Sequence, residues 1–423
     1  MTDLREKALA VLYALVIAGY PLVAALPSLF GFSSRFVSVP LRATIVAASL
    51  VILVTTAALN TKLFFGPLCF PLFLFWGLYW TRLVMDTAVQ QVAVILQPGY
   101  DWLFALGTCL LPMLPFFTRQ DEILLARARR WGLVACLAAC LSALAASGAE
   151  FELGSGYLAG QGRAGFATLN PVSMGNLGVT TAILGLAGLL TRKDDRRWVK
   201  AAGIVAVLLG TATSVLAASR GPMLSLVFAG GLLLIAWLRQ ARHTVAPVFG
   251  LIVVIAVILR VAGSSLLLRF QALTLSAMDP SVGIHLDLLR NGWNQFVSSP
   301  LLGSGVVEEN TGFYPHNIVV EAFMATGIVG GTALLVALVG GAWLALRLAL
   351  SNGERQWVAL LYFQYLFAAM LSGAVIGSET MWCLLAAVIA TYHFMRYRLR
   401  EHADRRPHLG AVSEETVRQR RSD

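Results

Sequence analysis

Apolar runs long enough to cross a bilayer recur along most of this chain, and they restrict it to one class of architecture. A spanning helix needs about 20 mostly apolar residues. Runs of this kind occupy 8–30, 41–59, 63–85, 102–117, 131–148, 171–191, 198–217, 222–238, 246–262, 318–346, 356–372 and 376–395. Hydrophobic residues make up 58% of the chain and charged residues 13%, against about 45–50% and about 25% in a soluble domain. A water-soluble fold of 423 residues cannot hide that much apolar surface. The expected fold class is therefore all-α: a polytopic transmembrane helix bundle of about 12 spans over residues 1–396, followed by a basic tail at 397–423. Disordered, collagen-like and nucleic-acid-binding chains are excluded as primary classes. The stretch 86–101 is too polar to span and reads as an interfacial or re-entrant segment.

The distribution of charge gives an orientation. Lys and Arg collect in cytoplasmic loops. With the N-terminus inside, the cytoplasmic side receives 24 of the 32 Lys and Arg residues, including all four lysines. Both termini are thus expected in the cytoplasm. The outer side holds only arginines: Arg35, Arg42, Arg82, Arg163, Arg220, Arg260, Arg269 and Arg290. These oppose the topology rule and need another reason. Arginine suits forked, bidentate binding of phosphate. The plainer alternatives are pairing with outer acids, among them Asp86, Glu308, Glu321 and Glu379, or snorkelling to lipid phosphates. The five cysteines lie inside apolar runs without metal-ligand spacing and read as packing residues.

Two outer segments exceed ordinary connectors, 149–170 and 263–317. Loops longer than about 15 residues tend to be functional or disordered, and the second is too apolar for disorder. Within it Leu286, Leu289, Trp293 and Phe296 recur at helical steps. A helical subdomain lying over the bundle, between spans 9 and 10, is expected there.

The candidate chemistry lies on this outer side. His316 and Asn317 follow Pro315 and immediately precede an apolar run, so they sit at a helix N-terminus. The positive end of a helix opposes protonation of a histidine. A neutral imidazole can serve as a general base; the alternative is that His316 merely caps the helix. Glu321 lies five residues on and could orient the ring or be the base itself. Arg220 occupies a tight turn, SRGP, at the membrane surface, where it could reach a lipid-linked diphosphate or simply snorkel. Arg163 stands among glycines ahead of Asn170-Pro171, a pair with helix-start chemistry. Arg269 and Arg290, in the long loop, are further candidates. The chain has no Asp-x-Asp pair, no phosphate-binding G-x-x-x-x-G-K loop and no G-x-S-x-G elbow. Metal, ATP-driven and serine-hydrolase mechanisms therefore lack their residues.

Four motifs in order, GRAGFATLNP (162–171), SRGP (219–222), PLLGSG (300–305) and PHNIVVEAFMATGIVGG (315–331), resemble the O-antigen ligase/polymerase superfamily of bacterial membrane glycosyltransferases. The resemblance covers most of residues 1–396 and is most specific over about 160–331. It implies an inverting, metal-independent enzyme of the inner membrane with its active site on the periplasmic face and no cofactor. The implied donor is a glycan on undecaprenyl diphosphate. The implied acceptor is a sugar hydroxyl, on lipid A–core for an O-antigen ligase or on a lipid-linked repeat unit for a polymerase. Membrane lipids, and no nucleic acid, complete the expected partners. Position by position, His316 matches the family's loop histidine, Arg220 its diphosphate-binding arginine, and Arg163 the arginine ahead of Asn-Pro. Arg290 and Arg269 compete for a further donor contact, with Asn317 and Glu321 beside the site. Many relatives carry Asn-Pro-Asn where this chain has Asn170-Pro171-Val172. A polysaccharide-lipid carrier or flippase is the alternative from another class. It would need ionisable groups along a path through the bilayer, whereas the charges here cluster at the faces.

Overall fold

The computed structural model describes residues 2–90, 92, 100–152, 164–166, 168–190, 197–240, 280–351 and 353–419. Among these the chain is helical, and the one β-pairing is an isolated bridge between Phe166 and Leu169. The helices are α1 (Thr2–Ala14), α2 (Tyr20–Phe30), α3 (Arg35–Ala58), α4 (Cys69–Val84), α5 (Asp101–Ala105), α6 (Leu111–Met113) and α7 (Glu122–Glu152). They continue with α8 (Pro171–Leu190), α9 (Arg197–Leu216), α10 (Arg220–Gln240), α11 (Pro280–Ser298), α12 (Ile318–Ala349), α13 (Arg355–Ser372) and α14 (Glu379–Gln419).

Six helices among the described residues are long and apolar enough to cross a membrane: Asp3–Phe30, Arg35–Ala58, Glu122–Gly148, Pro171–Leu189, Arg197–Leu216 and Ile318–Ala349. Asp101–Phe117 and Arg220–Ala236 are shorter apolar helices. The expected run 246–262, the first part of the long loop up to 279, and most of the polar stretch 86–101 lie outside the described residues. Three boundaries differ from the sequence reading. The helix expected at 131–148 begins at Glu122, because the arginines before it are absorbed into ion pairs. The stretch 102–117 is broken into short pieces. Finally, the expected tail at 397–423 runs on from α14 as helix to Gln419.

The breaks have local causes. A proline ring removes the backbone N–H that a regular turn needs. Wide π-turns at Leu15–Gly19 and Leu106–Leu110 lie just before Pro21 and Pro112. Such turns mark the accommodation of a missing bond inside an otherwise continuous helix.

Small residues set the closest packing. A Cβ on Gly178 would collide with the carbonyl of Gly210, and the reverse holds for Gly210 against Gly178. Gly185 and Gly203 meet in the same way one stretch along. Backbone approach of this kind drives helix association where lipid removes the hydrophobic driving force. Elsewhere the interior is aromatic: Phe75, Trp76 and Tyr79 of α4 are buried against each other, with Trp382 of α14 5.0 Å from Trp76.

α12 is broken at Gly327, whose φ of 64° and ψ of −161° no helix contains. The loop after α11 fills the break. Ile328 N–H donates to Pro300 O at 2.8 Å and Ser304 N–H to Met324 O at 3.0 Å. A side chain on Gly327 would strike Leu301, and one on Gly303, at φ 70°, would strike the backbone at Met324 and Ala325. Arg82 secures the joint from α4. It donates to Ala325 O at 3.1 Å and Gly303 O at 2.5 Å, and lies 3.7 Å from Asp86, which in turn accepts from Val306 N–H at 2.9 Å. Arg82 therefore caps the broken helix, instead of standing open to phosphate.

The opposite end of the bundle is closed by ion pairs. Arg129 of α7 makes a forked pair with Glu354, at 2.7 and 3.0 Å, both side chains buried. Beside it Glu122 accepts from Arg355 at 2.6 Å and from the Glu354 N–H at 2.8 Å. These bonds fix the start of α13, and hence where its far end lies.

Candidate active site

The far end of α13, Met370 to Ser372, receives two of the sequence candidates, His316 and Asn317, beside the turn that carries Arg220. Asn317 caps α12: its side-chain oxygen accepts from Val319 and Val320 N–H at 3.0 and 3.1 Å, satisfying two of the orphan donors of a helix start. Its amide donates to Met370 O at 2.8 Å. Gly221, in the turn that opens α10, lies against Leu371: a Cβ there would be 3.6 Å from the leucine methyl. His316 Nδ1 reaches Ser372 O at 3.4 Å. Three consecutive residues thus tie the PHN segment and the SRGP turn to one helix terminus.

The local backbone holds His316 in an unusual conformation. Its φ is +55°, in the left-handed region that side chains seldom enter. Ala218, just before Arg220, has φ +46°. Strain of this kind persists only where the surroundings enforce it, and it gathers at functional sites. For His316 the enforcement comes from both sides. Asn317 locks the helix that follows. The preceding loop is fastened at the α12 break and to α11, where Gln295 donates to Val307 O at 3.2 Å and accepts from Glu309 N–H at 3.1 Å.

The contacts define the chemical state of the ring. A carbonyl only accepts, so Nδ1 carries the proton given to Ser372 O, and Nε2 keeps its lone pair. Tyr314 and His285 flank the ring at centroid distances of 4.5 and 4.6 Å. Burial, and then the neighbouring His285, hold the His316 pKa below the usual imidazole value.

His316 opens onto a cavity of about 300 Å³. Its walls come from the α1–α2 rod, the start of α8, the end of α13 and the start of α14, and include Tyr20, Asn176, Tyr314, Ser372 and Glu379. The α8 wall is held by Asn170, whose side chain accepts from Ser173 N–H at 2.9 Å. The loop before it is held by Tyr20, which donates to Thr168 O at 2.9 Å. Gly175 of α8 packs directly on Pro222 of the SRGP turn.

The other expected residues are distributed unevenly. Arg220 is the first residue of α10, half-buried at the turn beside Leu371, and is not part of the cavity lining. Arg290 is exposed on α11, also away from the lining. Arg163 and Arg269 lie outside the described residues. Glu321 is fully buried one turn into α12 and is absent from the cavity lining. Tyr79 donates to one of its oxygens at 2.5 Å and Val375 N–H to the other at 2.9 Å. Both carboxylate oxygens are spent on holding α4 and the 373–378 turn in place, which corrects the expectation that Glu321 orients the ring. Asn317, expected at the substrate, is likewise committed to capping, and it is Asn317 and not His316 that caps α12.

Sequence reading placed Glu379 only among the outer acids that could pair with arginine and assigned no role to Asn176; both line the same cavity as His316. Glu379 carried one signal, its place after Gly377-Ser378 at a helix start; Asn176, inside an apolar run, carried none. Among the described residues no group of three or more His, Cys, Asp or Glu side chains could hold a metal ion.

Comparison with curated proteins gives no match to the chain. Residues 204–335, however, match the family described as O-Antigen ligase. The matched stretch runs from α9 to the first part of α12, through the SRGP turn, the loop docked at Gly327 and the strained histidine, and it supports the resemblance of this region to the O-antigen ligase/polymerase superfamily.

Proposed function

We propose that the protein is an inverting membrane glycosyltransferase, an O-antigen ligase that moves a glycan from undecaprenyl diphosphate to a sugar hydroxyl of lipid A–core. The bundle of residues 1–396 sits in the bacterial inner membrane with both termini cytoplasmic, and residues 263–317 form the large periplasmic loop. The observation that carries this reading is the convergence of His316 and the Arg220 turn on Met370–Ser372, next to a cavity.

The residues divide the chemistry between them. His316 Nε2 accepts the proton of the acceptor hydroxyl as that oxygen attacks the anomeric carbon. The bond from that carbon to the diphosphate oxygen breaks, and its electron pair leaves on the lipid diphosphate. A positioned base contributes about 10²–10⁴-fold. Arg220 neutralises the charge gathering on the leaving group, with Arg163, Arg269 and Arg290 as further donor contacts. Charge placed in advance where it develops is the usual main source of catalysis, and guanidinium groups supply it here without a metal ion. Asn317 and Glu321 act through position: one fixes the helix under His316, the other the turn beside the cavity.

The family covers polymerases as well, which would use the same residues with a lipid-linked repeat unit as acceptor. One experiment tests the function and separates the two. His316→Ala and Arg220→Ala are expressed in a strain deleted for the gene, and surface glycan and lipid-linked intermediates are measured. Loss of surface glycan with long lipid-linked chains accumulating is the result expected of a ligase. Accumulation of single repeat units identifies a polymerase. Normal glycan in both variants contradicts the transferase reading and favours the carrier.

A further inference from the structure

Two polar side chains besides His316 line its cavity from helices that the catalytic assignment does not use, Glu379 and Asn176. Glu379 stands at the first residue of α14. It joins no ion pair among the described residues. Asn176 lies in the first turns of α8. Its backbone carbonyl accepts from Gln364 at 2.8 Å and Thr180 at 2.9 Å, but its side-chain oxygen is buried without a hydrogen-bond partner among the described residues. An unmade bond at a buried acceptor costs the desolvation of that group, so native structures rarely leave one without a reason.

The chemistry of the two groups selects a ligand. A carboxyl and a primary amide both exchange hydrogen bonds with hydroxyl groups. A diphosphate offers acceptors and negative charge, and no Arg or Lys stands in the cavity lining to neutralise it. A saccharide offers several hydroxyl donors at once. The Tyr314 ring, 4.5 Å from His316 on the same cavity, adds a face for the apolar side of a sugar.

We propose that Glu379 and Asn176 form the binding subsite for the acceptor saccharide. The acceptor sugar lies between α2, α8 and α14 with its reacting hydroxyl toward His316, and the donor diphosphate lies on the other side, toward Arg220 at the head of α10. This assignment rests on the glycosyltransferase reading and gives each substrate its own wall.

The test uses the full-length protein in lipid nanodiscs, with core-terminated lipopolysaccharide and the lipid-linked glycan from a strain lacking the gene. Glu379→Gln keeps the shape and replaces the carboxyl by an amide; Asn176→Ala removes the amide. Each raises the KM for the lipopolysaccharide acceptor by about tenfold, or ~1.4 kcal/mol. The affinity for undecaprenyl diphosphate, measured separately by equilibrium binding, stays within about twofold of wild type and shows that each variant is folded. An unchanged acceptor KM in both variants overturns the subsite, as does a parallel loss of undecaprenyl diphosphate affinity. If the wild type transfers nothing to lipopolysaccharide, the ligase reading fails. The same two variants are then compared for direct binding of the lipid-linked repeat unit and of the lipopolysaccharide. Weakened binding of either saccharide upholds the subsite, and equal binding of both overturns it.

Discussion

At the end of the bundle where α7 meets α13, Arg129 and Glu354 bury a forked ion pair, and Glu122 answers Arg355 beside it. At the other end of α13, Glu379 and Asn176 line a cavity and join no ion pair among the described residues, and His316 is held at a strained φ with its Nε2 lone pair turned free of its one backbone bond. One helix thus connects an end where polar groups satisfy each other to an end where they wait for something else. Buried polar groups are costly unless paired. The first end is arranged for stability, and the second is where the proposed binding and chemistry fall.

Substitutions at the two ends should separate along the same line. The largest effect falls on transfer: His316→Ala lowers kcat by about 10²–10⁴-fold and leaves thermal unfolding near that of wild type, because the ring makes one long bond to Ser372. Arg129→Ala does the reverse. It strands a buried Glu354 and costs about 3–5 kcal/mol of stability, read as a lower thermal unfolding midpoint, while molecules that remain folded keep their kcat. A double change, Arg129→Met with Glu354→Leu, recovers most of that loss, since an apolar pair avoids the desolvation of two ions. Arg220→Lys comes next. It keeps the charge and loses the fork, and weakens donor binding by about tenfold, measured by equilibrium binding of undecaprenyl diphosphate.

The smallest effect is on pH dependence. The His316 pKa is depressed, by burial first and by His285 second. The base form therefore persists below the usual ~6.5, and kcat/KM falls only on the acid side of that value. His285→Asn removes the second contribution and lets the pKa rise. The acid limb then moves to higher pH. A shift to lower pH contradicts the placement of His285 beside the base.

The two ends also differ in how much of each could be read along the chain. Helices and most of their limits follow from apolar runs, and the start of α12 follows from Pro315 and the capping chemistry of Asn317. What pairs across the bundle left no local trace. Arg82 looked like an outer phosphate ligand, yet it bonds the carbonyl of Gly303, 221 residues away. Glu321 stood near His316 in sequence, but the helix carries it a turn deeper, onto Tyr79 of α4. PLLGSG stood out only as one of four ordered motifs; its Gly303 is needed because the loop docks backbone to backbone on the break at Gly327. Asn176 was hidden inside an apolar run, since a single amide changes neither its length nor its hydropathy enough to stand out.

The central claim is that His316 removes the proton from an acceptor hydroxyl while the lipid diphosphate departs. Its most direct test is single-turnover transfer by purified wild type and His316→Ala, preloaded with lipid-linked glycan and mixed with saturating acceptor. The account predicts equal donor loading in the two proteins and a transfer step slowed by about 10²–10⁴-fold in the variant. Equal transfer rates at equal loading would contradict it.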